Sequence, residues 1–330
     1  MTHLAPHVSA WFLERLPVER AASPHTCASY AYAFQLLFRF AADRLAVAPS
    51  DLTFEHLDAP LVLAFLEHLQ QDRANSARTR NARLIAIKSF LRFMQYRHPA
   101  GLDQIRRVLA IPGQKTDTQL VSHLCRDEVQ ALIDAPDTNS RTGNRDRALL
   151  LLGVTAGLRV SELVGLRLDQ VSFRDRYVDI YVQGKGRKER ALTLWKEVAD
   201  SIRAWLVVRG DVRAFELFVN ARGEGLTRSG VEYILRKHIR KAAATCPSLA
   251  RKRVSPHTLR HTCAINTLQA THDIRKVALW LGHASTKSTE IYLQADPTEK
   301  LEMLEAVVPP RLRRGTFSPP DEVIAMLRRR

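Results

Sequence analysis

Residues 111–119, Ile111-Pro-Gly-Gln-Lys-Thr-Asp-Thr-Gln119, carry proline, glycine and polar side chains without apolar periodicity, and patterned sequence lies on both sides of them. Such a stretch has no apolar face to bury, and its backbone groups need water, so it reads as a linker. It divides the 330 residues into two globular parts, and the 45% hydrophobic content supplies a core for each. We expect a first domain at 1–111, a linker at 112–119, a second domain at 120–308 and a Pro- and Arg-rich tail at 309–330.

The first part repeats its apolar residues at helical spacing. Tyr30, Phe34, Leu37, Phe38 and Ala41 share one face, as do Leu61, Ala64, Phe65 and Leu69, with Pro49 and Pro60 as punctuation. A third segment sets Leu84, Ile87, Phe90, Leu91 and Met94 against a basic exterior of Arg73, Arg78, Arg80, Arg83, Lys88, Arg92 and Arg97. Only basic charges occur between Asp72 and Asp103, where a merely solvated face would mix signs. An all-helical domain with Arg78, Arg80, Arg83, Lys88 and Arg92 turned to nucleic acid is the expectation. The formal net charge of +16 agrees, because cationic side chains release counterions condensed on a polyanion. A solvated basic surface is the plainer alternative.

The second part opens with helical patterns over 126–135 and 145–156. Alternation over 177–182 then marks a strand, Gln183-Gly184-Lys185-Gly186-Arg187 turns it, and 191–194 returns, with mainly helical sequence following to Val308. The expected fold class is mainly α with a small antiparallel sheet. No apolar run is long enough for a bilayer, and residues 1–15 lack the pattern of an export signal. Cys27, Cys125, Cys246 and Cys263 show no CxxC spacing, which suits a reducing compartment. A cytoplasmic protein without a membrane partner is expected.

Several residues point to phosphate chemistry. Gly157 ends one helix and Ser161 is the expected N-cap of the next, leaving Arg159 in the turn between them. A guanidinium between apolar Leu158 and Val160 can grip a phosphate through paired hydrogen bonds, with Glu162 orienting it; a structural Arg–Glu pair is the alternative. Lys185, between two glycines at a hairpin tip, can donate a proton to a leaving oxygen or simply occupy a turn. Arg187, Lys188 and Arg190 can contact backbone phosphates. Ser255 as N-cap and Pro256 as first helical residue place His257 and Arg260 on one face at an anion-attracting helix end. His257 can equally be a satisfied core residue, or join His261 and Cys263 around a metal. Gly282 should end a helix and present His283, and residues 285–289 offer caps for a helix carrying Tyr292. A buried tyrosine is usually a packing residue.

The ordered set Gly157-Leu-Arg159-Val-Ser-Glu162, Gly184-Lys185-Gly186, His257-Thr-Leu-Arg260-His261, Leu281-Gly282-His283 and Tyr292 resembles the tyrosine recombinases, or phage-type integrases, and looks closest to the Xer-type branch. The resemblance covers residues 120–297, including the basic helix through Arg236, Lys237 and Arg240, which are expected DNA contacts; the first domain matches in helical, basic character. It implies a helical core-binding domain and a mixed catalytic domain closing as a C-shaped clamp on duplex DNA. By the same resemblance, Arg159, His257, Arg260 and His283 surround the scissile phosphate, and Lys185 protonates the departing 5′ oxygen. Tyr292 attacks phosphorus, with His257 taking its proton, to give a 3′-phosphotyrosyl link that needs no metal and no cofactor.

It also implies homo-tetramers on DNA, possible pairing with related recombinase subunits, and nucleoid association. Leu301, Leu304, Ala306 and Val307 are a candidate apolar patch for a neighbouring subunit or for their own domain. The tail departs from the short ends of Xer-type members and points toward a mobile-element integrase or transposase. Two rivals remain at this stage: a catalytically silent DNA-binding protein of the same fold, and a topoisomerase that relaxes supercoils without a partner site.

Overall fold

The computed structural model describes residues 2–116, 121–184, 189–283 and 285–295. The chain divides into two compact units, Met1–Thr118 and Gln119–Arg330.

In the first unit, helix α1 (Leu4–Ala10) runs into a π-helical stretch, Trp11–Glu19, and is followed by α2 (Pro24–Leu45), α3 (Ala59–Gln71), α4 (Ala77–Arg97) and α5 (Leu102–Ala110). Each long helix begins where a short polar side chain can accept a free backbone N–H. Ser23 accepts from Thr26, Asp58 from Leu61 and Ser76 from Thr79, at 3.2, 2.8 and 3.3 Å. The core is aromatic: Trp11, Phe34 and Phe90 meet with ring centroids 5.2 to 5.4 Å apart. Rings in such tilted arrangements attract one another beyond their area burial, so removing Trp11 is expected to cost about 3–5 kcal/mol.

The second unit opens with α6 (Arg126–Asp134), whose Glu128 accepts the Cys125 N–H at 2.9 Å, followed by α7 (Arg141–Ala156) and the short α8 (Val160–Val164). Three antiparallel strands follow in the order β1 (Val171–Arg174), β2 (Tyr177–Gln183) and β3 (Glu189–Leu194). Val171 pairs with Ile180 and Tyr181 with Ala191, a register that puts Val178, Ile180, Val182, Leu192 and Leu194 inward. The strand β1 is four residues long, too short for alternation to betray it in sequence. The remaining helices are α9 (Lys196–Arg209), α10 (Arg228–Ala242), α11 (Pro256–Thr271), α12 (Ile274–Leu281) and α13 (Ile291–Ala295).

Mainly α with a small antiparallel sheet is therefore the observed class. Helix α7 starts at Arg141, capped by Ser140, which is earlier than its apolar pattern indicated because its first turn is polar. It forms the spine of this unit, with Leu149, Leu150 and Leu152 fully buried. Gly153 lets α11 come close: a Cβ there would lie 3.0 Å from Leu259. A buried ion network ties α7 to α10. Arg145 grips Asp146 Oδ1 at 2.6 and 2.9 Å, and His238 Nε2 meets Asp146 Oδ2 at 2.8 Å. None of the described helices is long and apolar enough to cross a membrane.

Candidate active site

The site begins where α7 stops. Gly157 adopts φ +58°, and a Cβ there would meet Leu281 at 2.6 Å and Cys263 at 2.9 Å, so both the backbone and the space require glycine. Arg159 follows in extended conformation and is itself the N-cap of α8, in place of Ser161. The reason is Glu162, whose Oε2 reaches back to accept the Arg159 N–H at 2.9 Å while Oε1 accepts from Arg159 Nη1 at 2.7 Å. Glu162 thus orients Arg159.

The same carboxylate receives two more cations. Arg190, on β3, donates to it at 2.8 Å through Nη2, and Arg260 Nη1 lies 4.0 Å from Oε2. Burial alone would push Glu162 up, but hydrogen bonds from Arg190 and from the Arg159 backbone more than offset it and hold the carboxyl below its usual range. It is therefore ionised at neutral pH, and three guanidinium charges against one carboxylate leave the cluster strongly positive.

Helix α11 begins as its residues require, with Ser255 as N-cap and Pro256 as first residue. His257 and Arg260 share its first turns. Arg260 is 4% exposed and is fixed by donating to two backbone carbonyls, Gly157 O and Leu281 O. Burial, then the field of Arg159, lowers it to about 10, so it stays cationic at neutral pH. His257 lies at the surface and makes no hydrogen bond among the described residues. Desolvation, then Arg228, Arg260 and Arg159, lowers its pKa.

Helix α12 ends at Gly282, in the left-handed conformation at φ +64°, and delivers His283. His283 Nδ1 meets the buried Thr289 hydroxyl at 2.7 Å. Desolvation, then Arg260, Arg159 and Arg190, pushes this imidazole down to about 4. Tyr292, on α13, is 2% exposed, and its hydroxyl lies 3.0 Å from His261 Nδ1. Burial raises the phenol, with Arg260 and Arg159 pulling the other way.

His257, His283 and Tyr292 are thus all brought within the electric fields of Arg159 and Arg260. Lys185, Arg187 and Lys188 lie outside the described residues, as do Leu301, Leu304, Ala306, Val307 and the tail. Three side chains have partners other than those the sequence led us to expect. His261, rather than His257, is the partner of the Tyr292 hydroxyl; Thr289 holds His283; and Arg190 is committed to Glu162 instead of free for a phosphate. His261 had one visible signal, its spacing of four from His257 on the same helical face. Cys263 donates to Thr155 O at 3.1 Å, and among the described residues no group of three His, Cys, Asp or Glu side chains is placed to hold a metal ion.

The basic residues divide into two groups. Arg78, Arg92, Arg236, Lys237 and Arg240 are exposed. Arg83 lies over the Tyr32 ring at 4.8 Å and donates to Ser29 O at 3.2 Å. Arg80 and Lys88 correct the expectation of a DNA-facing row. Arg80 is buried, and Lys88 Nζ donates to Leu109 O at 2.7 Å and Ile111 O at 2.5 Å, closing the end of α5. Carbonyls at a helix C-terminus lack partners of their own, and a neighbouring ammonium satisfies them.

Residues 122–299 match the profile of the phage integrase family, and residues 10–98 match that of the phage integrase N-terminal SAM-like domain. The chain belongs to the phage integrase family of tyrosine recombinases. This recombinase is accordingly an enzyme of site-specific DNA recombination. It is 45% identical to the integrase/recombinase y4rC of Sinorhizobium fredii, over 98% of this chain and 97% of that one. With tyrosine recombinase XerC of Pelobacter propionicus it shares 35% identity, over 90% and 94%. Among solved structures it is similar to XerH recombinase in a post-cleavage complex with palindromic difH substrate, at TM-score 0.69 and 22% identity, covering 87% of this chain and 81% of that one. The Tn1549 transposon integrase in complex with transposon right end DNA gives 0.65 at 14% identity, covering 92% and 100%. These two structures share the fold of the recombinase.

Proposed function

We propose that this recombinase cuts and rejoins double-stranded DNA through Tyr292, whose hydroxyl displaces a 5′ oxygen to form a 3′-phosphotyrosyl diester. Arg159 and Arg260 grip the non-bridging oxygens, His257 and His283 complete the cradle, and Lys185 gives a proton to the departing 5′ oxygen. The observation that carries this reading is the meeting of Arg159 and Arg260 over the Glu162 carboxylate, with the Tyr292 hydroxyl held by His261, the residue that follows Arg260 in the chain. As attack proceeds, negative charge accumulates on the phosphorane, and fixed cations in a partly dry site stabilise it more than they stabilise the ground state. The Thr289 hydroxyl engages His283 Nδ1, which leaves Nε2 of that ring for a phosphate oxygen.

The product link is a diester like the bond it replaces, so an incoming 5′ hydroxyl can reverse the step on another strand without a nucleotide cofactor. We assign DNA contacts to the helical domain at 1–111 through Arg78, Arg83 and Arg92, and to α10 through Arg236, Lys237 and Arg240. Residues 112–119 serve as the linker between that domain and the catalytic domain at 120–308. λ integrase has been solved as a tetramer bound to a Holliday junction, which supports a tetramer here. The cytoplasm, on the nucleoid, is the compartment where such a substrate is met.

The test is a nicked duplex bearing a site this recombinase binds. Wild type should leave a covalent protein–DNA band on a denaturing gel, and Tyr292→Phe should leave none. Binding by wild type without any such band would point to a silent DNA-binding protein.

A further inference from the structure

We infer that His261 is the general base of the cleavage step, accepting the phenolic proton of Tyr292 at Nδ1. The inference rests on Tyr292 as nucleophile and names the group that its proton goes to. Geometry is the first criterion for such a role: the base must lie within hydrogen-bond reach of the proton it removes. His261 Nδ1 is 3.0 Å from the Tyr292 hydroxyl, and the two rings pack with centroids 5.6 Å apart. His257 sits one helical turn away, its ring centroid 6.3 Å from that of His261, and shares no hydrogen bond with the tyrosine.

The chemistry of the pair fits. Burial holds Tyr292 protonated, so an attacking phenol must lose its proton as the bond to phosphorus forms. Desolvation, then His257 and Arg260, pushes His261 down to about 4, so its lone pair is free at neutral pH. A phosphate bound to Arg260 cancels part of the field that keeps the ring unprotonated. The base therefore strengthens when DNA is in place, which restricts activation of the phenol to the loaded site.

The step balances. The Tyr292 Oη–P bond forms as the P–O5′ bond breaks, the phenolic proton passes to His261, and the 5′ oxygen receives one from Lys185. Religation reverses each transfer and returns both side chains to their starting states.

The experiment measures single-turnover adduct formation on the nicked duplex by wild type, His261→Asn and His261→Ala. The Asn amide oxygen can keep the hydrogen bond from the phenol but cannot take its proton. Both variants should bind the duplex, and His261→Asn should melt like wild type, yet both should form adduct roughly 100-fold more slowly. Added imidazole should recover about 10-fold of that loss in His261→Ala and none in His261→Asn. The proposal is overturned if either variant cleaves at the wild-type rate or faster, or if His261→Ala stays slow in imidazole. Should His261→Ala unfold, the His261→Asn rate alone decides, slow in support and wild-type against. Absence of adduct with wild type itself, or its persistence in Tyr292→Phe, would instead strike the assignment of the nucleophile.

Discussion

Arg190 lies directly beneath Gly282, so close that a Cβ on the glycine would fall 2.7 Å from the guanidinium Nη1. The arginine that neutralises Glu162 therefore also forms the floor of the turn that presents His283. Gly282→Ala adds a side chain in left-handed conformation, at a cost of about 1–2 kcal/mol, and pushes Arg190 off the carboxylate. We expect a lower Tm by differential scanning calorimetry together with slower adduct formation. Activity retained at the wild-type rate would show that the turn and the guanidinium move independently.

Glu162 is itself an anion, yet it orients Arg159, a cation that grips the phosphate, and holds Arg190 beside it. Glu162→Gln keeps the shape but removes the anion that Arg159 and Arg190 share, leaving Arg159 free to swing. Adduct formation should fall on the order of 100-fold while gel-shift affinity for DNA holds or rises, because net positive charge increases. Loss of binding in parallel with cleavage would contradict this.

Basic side chains of the two groups should fail in different ways. Arg236→Ala and Arg240→Ala should each lower the slope of log affinity against log salt by about 1, with Tm unchanged. Lys88→Met should leave that slope alone and lower Tm, since it strips the carbonyls of Leu109 and Ile111 of their donor. Filter binding across a salt series, with a melt on each variant, separates the two.

Acid should weaken the second unit before its carboxylates protonate. His261 and His283 titrate near 4 in the folded chain, below the ordinary imidazole value of 6.5 that they regain on unfolding. The unfolded state thus binds more protons between those values, so stability is full above pH 6.5 and is lost as pH falls toward 4. Allowing for solvent screening of half-buried rings, each contributes about 1 kcal/mol. A Tm that is flat from pH 7 to pH 4.5 would refute the assignment.

Much of this site was readable because its backbone has few alternatives. Gly157 and Gly282 occupy left-handed conformations, and Ser255-Pro256 starts a helix in the one order that suits both residues. Pairings across long separations left no such trace. Arg190 reaches Glu162 across 28 residues and His261 reaches Tyr292 across 31, distances over which no periodicity operates. The same blindness explains Lys88. A basic helix face was evident, but the carbonyls 21 and 23 residues away that claim one of its ammonium groups were not. Ser161 looked like a cap by residue type, whereas the reach of the Glu162 side chain set the boundary at Arg159.

Arg260 spends one donor on the carbonyl that closes α7 and another on the last residue of α12. Its plane is thereby set by the ends of two helices, while its remaining N–H groups are left over for an incoming anion. A freely rotating guanidinium would surrender its motion anew with every substrate. Here that surrender happens once, as the chain folds, so the receptor for the phosphate is already rigid when DNA arrives.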